Sequence, residues 1–441
     1  MKDNKKMDRR EFFKKGTGLA VAAGVFPTIL PSAAFGKDGA VMPGNKITMG
    51  CIGVGWQGTN NLNSFLRESD VRVVAVCDLD KNHLENARNL VNKKYGNQDC
   101  VVYHDFRDLL ARDDIDVVSL GLPDHWHAIP AIAAAEAGKD IYGEKPFSHT
   151  LGEGRAMCNA VQRYDRIWQT GSWQRSQANF RFGCELVRNG RIGKVHTVEV
   201  GLPSGHTDFA GTKGQDQITA PPKELDYNFW VGPAPYIPYS KSHVHKNWRW
   251  MLQFGGGQLM DWIGHHLDIA HWGLGLEYTG PIEIEGHGDY PKTGHYNTAT
   301  KYRIHTKYAS GVKIIIAGGY PEIRGGTKWI GDDGWIWVNR GGRIEAGPNK
   351  VLQEKIRPEE IHLYHSPGHW RNFIDCVKTR KTTIAPAEVA HRSATPGHLG
   401  QISMLLKRKI YFNPDTEEIL GDPEASRMLC NSMRAPWTLK L

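Results

Sequence analysis

Long apolar runs are missing from this chain of 441 residues. Beyond the N-terminal leader no stretch reaches the roughly 18 or more apolar residues that a bilayer span requires, so the mature protein is expected to be soluble. Cysteine is scarce and irregular: seven residues, an odd number with no C-x-x-C pair, indicate neither a disulfide framework nor a zinc site, and no metal is expected. Cys51 and Cys77 fall inside apolar runs and read as small buried hydrophobes, and a place within a strand argues against lipidation at Gly50-Cys51. Low-complexity tracts and internal repeats are also lacking, which excludes solenoids and extended disorder. The charge surplus is small. Of the formal +8, residues 1–34 carry seven Lys/Arg against three Asp/Glu, net +4, which leaves +4 scattered over the rest. That is not the basic stripe of a nucleic-acid binder. What is present, 40% hydrophobic and 23% charged residues, is a globular composition, and the length favours two domains.

Residues 1–34 read as an export signal. Arg9-Arg10 precede Phe12-Phe13-Lys14, a modestly apolar stretch follows from Gly16 to Leu30, and Ser32-Ala33-Ala34 offers small residues for cleavage. The arginine pair ahead of a Phe pair resembles the twin-arginine type, which places the mature protein in the periplasm. Residues 35–45 form a linker.

From Lys46 short apolar runs alternate with helical patterns, the signature of a parallel sheet with crossover helices. ITMGCIGVG, VRVVAVCD, CVVYHD, DVVSLGLP, DIYGEKP and RIWQTGS supply six strands, so a Rossmann domain is expected over 46–170. The first strand runs into GVGWQG. In that context Gly53 makes the tight turn, Gly55 lets the backbone approach a pyrophosphate and Gly58 lets the helix pack on the strand. Trp56 and Gln57 complete the cradle at a helix N-terminus whose free N–H groups favour phosphate. Asp78, 20 residues after Gly58, closes the second strand where a carboxylate can accept both ribose hydroxyls. It would repel a 2′-phosphate, which favours NAD over NADP.

Ligands in such sheets lie at the carboxyl ends of the strands, where LPDHWH and GEKP fall. The order G-x-G-x-x-G, then Pro123-x-x-x-His127, AGKDIYGEKP with Glu144 and Lys145, and GGGQLMDWIGHHLD resembles the glucose-fructose oxidoreductase, inositol dehydrogenase and MocA-like (Gfo/Idh/MocA) family. HWRNFIDCVKTRK and HRSATPGHLG resemble its exported bacterial members. The resemblance runs from about Lys46 to about Pro436. It implies a second α+β domain over 171–441, built on a large open, mostly antiparallel sheet through which relatives form dimers or tetramers. It also implies a catalytic Lys145, Asp261 and His265, and cofactor contacts at Pro123, His127 and Glu144. Asp261 and His265, four apart in a helical stretch, share one face. Histidine has a pKa suited to taking a hydroxyl proton near neutrality, Lys145 suits a developing alkoxide, and Asp261 suits orienting the sugar or the imidazole.

Three further residues are substrate candidates. Gln174 and Arg175 in GSWQRS suit contacts to sugar hydroxyls or cofactor, or a role in joining the domains. Trp248 in HVHKNWRW offers a face to a pyranose, and His243 and His245 there lack a third metal ligand. His266 reads as structural, and Asp268 as a packing or capping residue.

A dinucleotide fingerprint behind an export signal raises a supply problem, because no free cofactor awaits outside the cytoplasm. Loading before export and tight retention resolve it, and the resemblance implies such retention. A captive cofactor must be regenerated in place. Three functions follow: a sugar oxidoreductase reoxidised by a second carbonyl compound, a redox-neutral glycosidase working through a 3-keto sugar, or a sugar-binding protein with a structural nucleotide.

Overall fold

The computed structural model describes residues 46–439; the expected export signal and linker lie outside the described residues. Six strands form a parallel sheet: β1 (Ile47–Ile52), β2 (Val71–Cys77), β3 (Val101–Tyr103), β4 (Val117–Leu120), β5 (Asp140–Gly143) and β6 (Trp168–Thr170). Their order is β3-β2-β1-β4-β5-β6, so the strand order reverses between β1 and β4. Ile52 pairs with both Cys77 and Leu120, Leu120 with Gly143, and Gly143 with Thr170. This register aligns the carboxyl ends, so Gly53, Asp78, Gly121, Glu144 and Gly171 emerge side by side along one edge.

The connecting helices are set by local chemistry. In α1 (Trp56–Phe65) Leu62 and Phe65 are fully buried, each contributing ~1.5–3 kcal/mol by burial. A Cβ on Gly58 would stand 1.8 Å from the Gly53 carbonyl oxygen, so only glycine lets α1 approach the strand this closely. Asp80 caps α2 (Lys81–Tyr95) by accepting from the N–H groups of Asn82 and His83. Thr150 and Glu153 form a reciprocal capping box at α5 (Leu151–Arg163), with α3 (Phe106–Leu110) and α4 (Ala128–Glu136) preceding it.

The second sheet has nine strands in the order β13-β12-β11-β7-β10-β9-β8-β14-β15. These are β7 (Val195–Leu202), β8 (Glu283–Asp289), β9 (Lys301–Lys307), β10 (Lys313–Gly318), β11 (Gly326–Gly331), β12 (Gly334–Asn339), β13 (Arg343–Gly347), β14 (Ile410–Asn413) and β15 (Glu418–Ile419). Only β7 and β10 pair in parallel. Burial alternates along β9, with Tyr302, Ile304 and Thr306 turned inward.

Helix α6 (Ala178–Arg188) covers the inner face, with α7 (Tyr227–Val231) in the long segment after β7 and α8 (Gly257–Leu274) following it. Thr327 and Trp329 of β11 donate side-chain hydrogen bonds to the carbonyls of His266 and Ala270 of α8. All of α8 is buried except Asp261, Trp262 and Leu274. A helix buried nearly all round belongs in a core, and two of these three residues face the cleft described below.

Two stretches of the second half return to the first domain. Helix α9 (His369–Thr379) inserts Phe373 and Ile374 into the cluster of Met49, Leu62, Phe65 and Tyr142, and Arg371 pairs with Glu68 and Asp70. Helices α10 (Ala387–Leu406) and α11 (Pro423–Arg427) complete the chain. The segment between β7 and α8 forms a strap, with its own cluster around Leu225, Tyr227, Trp230 and Phe254. It bonds to the first domain through Lys81 N–H to Glu224 O (2.9 Å) and Asp226 N–H to Leu79 O (3.1 Å).

All seven cysteines are free, and Cys51 and Cys77 are buried as expected. Among the described residues no helix is long and apolar enough to cross a membrane.

Candidate active site

A cleft of about 450 Å³ opens along the aligned strand ends, roofed by the strap and by α8. Gly53, Gly55, Trp56, Gln57 and Asp78 line it toward one end. Gly58 lies behind them: its Cα would stand 2.7 Å from a Cβ on Gly121, so bare backbone meets bare backbone. No side chain caps α1, so its first N–H groups remain for a ligand. The Asp78 carboxylate is fixed by Val54 N–H (2.8 Å) and Asp80 N–H (2.9 Å). His83 stands 3.7 Å from it. Burial lowers the pKa of His83, but the nearby carboxylates of Asp78 and Asp80 outweigh this and raise it. An uncapped helix start, a glycine cradle and an anchored carboxylate fit a dinucleotide.

Lys145 and Asp261 meet farther along. The Lys145 ammonium lies 2.9 Å from Asp261 Oδ1 and 2.7 Å from the Asp261 carbonyl, and Arg249 Nε is 3.0 Å from the same carboxylate oxygen. Burial alone would raise the Asp261 pKa; the two cations override it and hold the carboxyl far below its usual range. Gly264, one turn on, allows the approach, since its Cβ would lie 3.2 Å from that of Lys145.

His265 follows Asp261 by four residues and lines the same cleft, with an unpartnered buried Nδ1. Burial, then Lys145 and Arg340, push its pKa well below the ordinary imidazole value. An ordinary histidine titrating near neutrality is therefore not what the site contains. The free cleft presents a neutral imidazole, already in base form. Asp261 is engaged by Lys145 and Arg249, leaving His265 oriented by packing against Trp262 (5.6 Å between ring centroids) and Trp173 (6.2 Å).

Glu144, buried behind Lys145, accepts from Asn61 (2.8 Å) and Gln57 (3.2 Å); burial raises its pKa. Pro123 lines the cleft, as does Trp248, over whose ring the Arg249 guanidinium lies 4.3 Å from the centroid. Trp56 is half exposed at the mouth, under Lys246 at 4.7 Å.

Three expected contacts fall elsewhere. His127 is fully buried between the Leu122 carbonyl (2.9 Å from Nε2) and the Pro146 carbonyl (2.7 Å from Nδ1), its one ring N–H donating to one of them, so it packs between the loops carrying Pro123 and Lys145 without lining the cleft. Arg175, 2% exposed, is spent on Asp268 (2.6 and 2.9 Å) and Glu277 (2.7 Å), a buried ion cluster joining the start of the second domain to α8. This also gives Asp268 its role. Gln174 sits just behind the wall, its amide 3.4 Å from the His265 carbonyl and its Oε1 accepting from Arg340 Nε at 3.0 Å.

His243 and His245 do not share a ligand position, since His243 bonds His295. His245 instead approaches Asp80 and His83, and these three are a group among the described residues whose spacing suits a metal ion.

Residues 47–172 match the family model described as oxidoreductase family, NAD-binding Rossmann fold, and residues 176–439 match the one described as oxidoreductase family, C-terminal alpha/beta domain. The chain belongs to the Gfo/Idh/MocA oxidoreductase family. Among curated relatives, a glycosyl hydrolase family 109 protein of Shewanella sp. (strain ANA-3) is 32% identical over 160 residues, 33% of this chain and 35% of that one. One from Shewanella putrefaciens is 30% identical over 208 residues, 42% and 44% of the two chains. The chain thus matches less than half the length of these relatives. The fold is shared with the WlbA dehydrogenase of Bordetella pertussis, solved with NADH and UDP-GlcNAcA (TM-score 0.59, 18% identity, covering 83% and 99% of the chains). Scyllo-inositol dehydrogenase of Lactobacillus casei, solved with NAD(H) and scyllo-inositol, is similar (TM-score 0.57, 16%, 83% and 99%).

Against this Gfo/Idh/MocA frame, sequence reasoning missed Asp124, Trp173, Arg249, Trp262 and Arg340, which all line the cleft. Trp262 sits directly after Asp261 and Arg249 directly after Trp248, so neighbouring motifs pointed at both. Asp124 is a buried carboxyl whose pKa burial lifts to about 7. Arg340, in the turn after β12, left no signal within its own stretch of sequence.

Proposed function

We propose that this protein is an NAD-dependent oxidoreductase acting on a hydroxyl of a sugar or glycoside, with its dinucleotide held tightly. One observation carries the reading: the Lys145–Asp261 pair and the unpartnered imidazole of His265 share a cleft with a glycine cradle and an anchored Asp78. When bound, the dinucleotide supplies the hydride acceptor. The chain supplies the remaining parts. His265, neutral at pH 7, takes the hydroxyl proton, and the Lys145 ammonium, held by Asp261, stabilises the oxygen as negative charge develops. Asp261 with Arg249 keeps that ammonium in place. Pro123, Glu144 and Gln57 shape the wall beside it, and Trp248 carries Arg249.

At the other end Asp78 accepts the ribose hydroxyls and repels a 2′-phosphate, which favours NAD over NADP. The strap supports retention, because it is bonded to Leu79 and Lys81 and lines the cleft with Leu225, Phe229 and Trp230. Retention agrees with the twin-arginine reading, in which the chain folds and loads in the cytoplasm and acts in the periplasm. The second sheet is the surface through which copies associate.

A second reading, a redox-neutral glycosidase, is favoured by Asp124 and by the names of the curated relatives. Oxidation at C3 acidifies the C2 proton, elimination expels the aglycone from C1, water adds, and C3 is reduced again. That route needs a further acid–base group, and a buried carboxyl on the cleft wall with a pKa near 7 suits it.

Incubation of purified protein with glycosides and no added nucleotide separates the readings. A keto sugar that accumulates only with a carbonyl acceptor supports the oxidoreductase, and released aglycone with the sugar's oxidation state unchanged supports the glycosidase. Neither product, with wild type and Lys145→Ala alike, leaves a sugar-binding protein.

A further inference from the structure

The cations of the cleft are not equally provided for. Lys145 and Arg249 share Asp261, and Arg175 behind them has Asp268 and Glu277. Arg340 has no such partner. Its Nε is held by Gln174, its Nη2 is buried without a hydrogen bond, and among the described residues no carboxylate forms an ion pair with it, Asp261 acting on it only through its charge. The guanidinium packs over two indoles, 4.6 Å from the Trp173 centroid and 4.3 Å from that of Trp262. Both rings and Arg340 line the wall that carries His265.

A half-buried cation with an unused donor is costly unless a ligand completes it. Burial in fact pulls the Arg340 pKa down to about 10, which still leaves it charged. The indoles pack against the guanidinium and Gln174 takes its Nε, so the Nη end, where Nη2 has no protein partner, is the part a ligand would complete. An edge of two parallel N–H donors matches a planar carboxylate. Phosphates of a dinucleotide belong to the glycine cradle. A phosphate dianion on the sugar would call on further cations; Lys145 and Arg249 are already shared with Asp261, and Lys246 lies over Trp56 at the mouth of the cleft.

We infer that Arg340 binds a carboxylate carried by the sugar, so that the substrate class is a uronic acid or uronide rather than a neutral hexoside. This rests on the oxidoreductase reading for its chemistry, but the anion site is separately measurable. Trp173 and Trp262 pack against Arg340, so its occupancy is read as the part of the tryptophan quenching that Arg340→Met removes.

The test uses purified protein with its own nucleotide and two readouts, tryptophan quenching and the near-ultraviolet band of reduced nicotinamide. Methyl glucuronide, methyl glucoside and glucose 6-phosphate are the ligands. Methyl glucuronide should quench at concentrations on the order of 100-fold lower than methyl glucoside, the ratio a charge-assisted pair provides, and should reduce the nucleotide with the same preference. Arg340→Met should abolish the ratio, and Arg340→Lys should restore part of it, with melting temperature and nucleotide content checking the fold of each.

Equal response to glucuronide and glucoside overturns the carboxylate assignment while leaving the oxidoreductase reading intact. Tighter quenching by the phosphate overturns it in favour of a sugar phosphate. A glucuronide preference in quenching with no reduction keeps the anion site and overturns the oxidoreductase reading.

Discussion

Replacing Lys145 with Met perturbs two things at once. Asp261 loses one of two cations that share its Oδ1, the ammonium at 2.9 Å, and His265 loses the charge that most strongly lowers its pKa. At that separation and an effective dielectric of ~20 the gross ion-pair attraction is about 6 kcal/mol. Desolvation offsets much of it, and Arg249 still holds the carboxylate, so the cost to stability should be about 1–3 kcal/mol. Loss of a positioned cation at the developing alkoxide should slow the chemical step by roughly 100- to 1000-fold. The pH dependence adds a signed test. His265 works as a base, so the rate falls as pH drops through its pKa. Removing Lys145 raises that pKa, and the acid limb should move to higher pH. Stopped-flow reduction of the bound nucleotide by a glycoside, measured across pH for wild type, Lys145→Met and Lys145→Arg, reads both effects. An unchanged rate in Lys145→Met, or an acid limb that stays put or moves to lower pH, would refute the assignment of Lys145 and its coupling to His265.

Other consequences are open to simpler assays. Asp78→Asn should weaken nucleotide retention by roughly 10- to 100-fold and narrow the preference for NAD over NADP, seen as nucleotide lost on gel filtration. Arg175→Met should destabilise the fold by ~3–5 kcal/mol in denaturant titration, because it strands Asp268 and Glu277 near a buried face. Acid should destabilise the whole chain. Burial holds His125, His266, His271 and His398 near about 3 and His149 and His369 near about 4. These groups stay neutral in the fold but charge in the unfolded chain below about pH 6.5, each removing up to ~1.4 kcal/mol per pH unit. Their stabilisation is complete above that pH, so the denaturation midpoint should drop sharply between about pH 6.5 and about pH 4, and a flat profile would refute the burial of these rings.

Much of the frame was legible in the sequence because its signals are local. Short apolar runs alternating with helical patterns, together with glycine spacing, marked all six strands of the first sheet, and the i, i+4 spacing of Asp261 and His265 placed both on one helix face. Boundaries were less clear: ITMGCIGVG runs past the strand, which ends at Ile52 where the phosphate turn begins. What sequence could not show depends on contacts between distant segments. Arg340 reaches the cleft from a hairpin turn, α9 returns to the first domain, and Arg175 and Gln174 adjoin the site yet face away from or behind its wall. The pKa of His265 is likewise a property of its neighbours, two cations and a tight burial, which no spacing records.

The most direct test is to mix purified protein, with no nucleotide added, with a sugar that it accepts and to follow the fluorescence of reduced nicotinamide. Tight retention and a shared site for Lys145 and His265 require a rapid rise approaching one equivalent per chain, lost in His265→Ala. No rise, or a rise only after free NAD is supplied, would contradict a captive cofactor poised over a sugar hydroxyl.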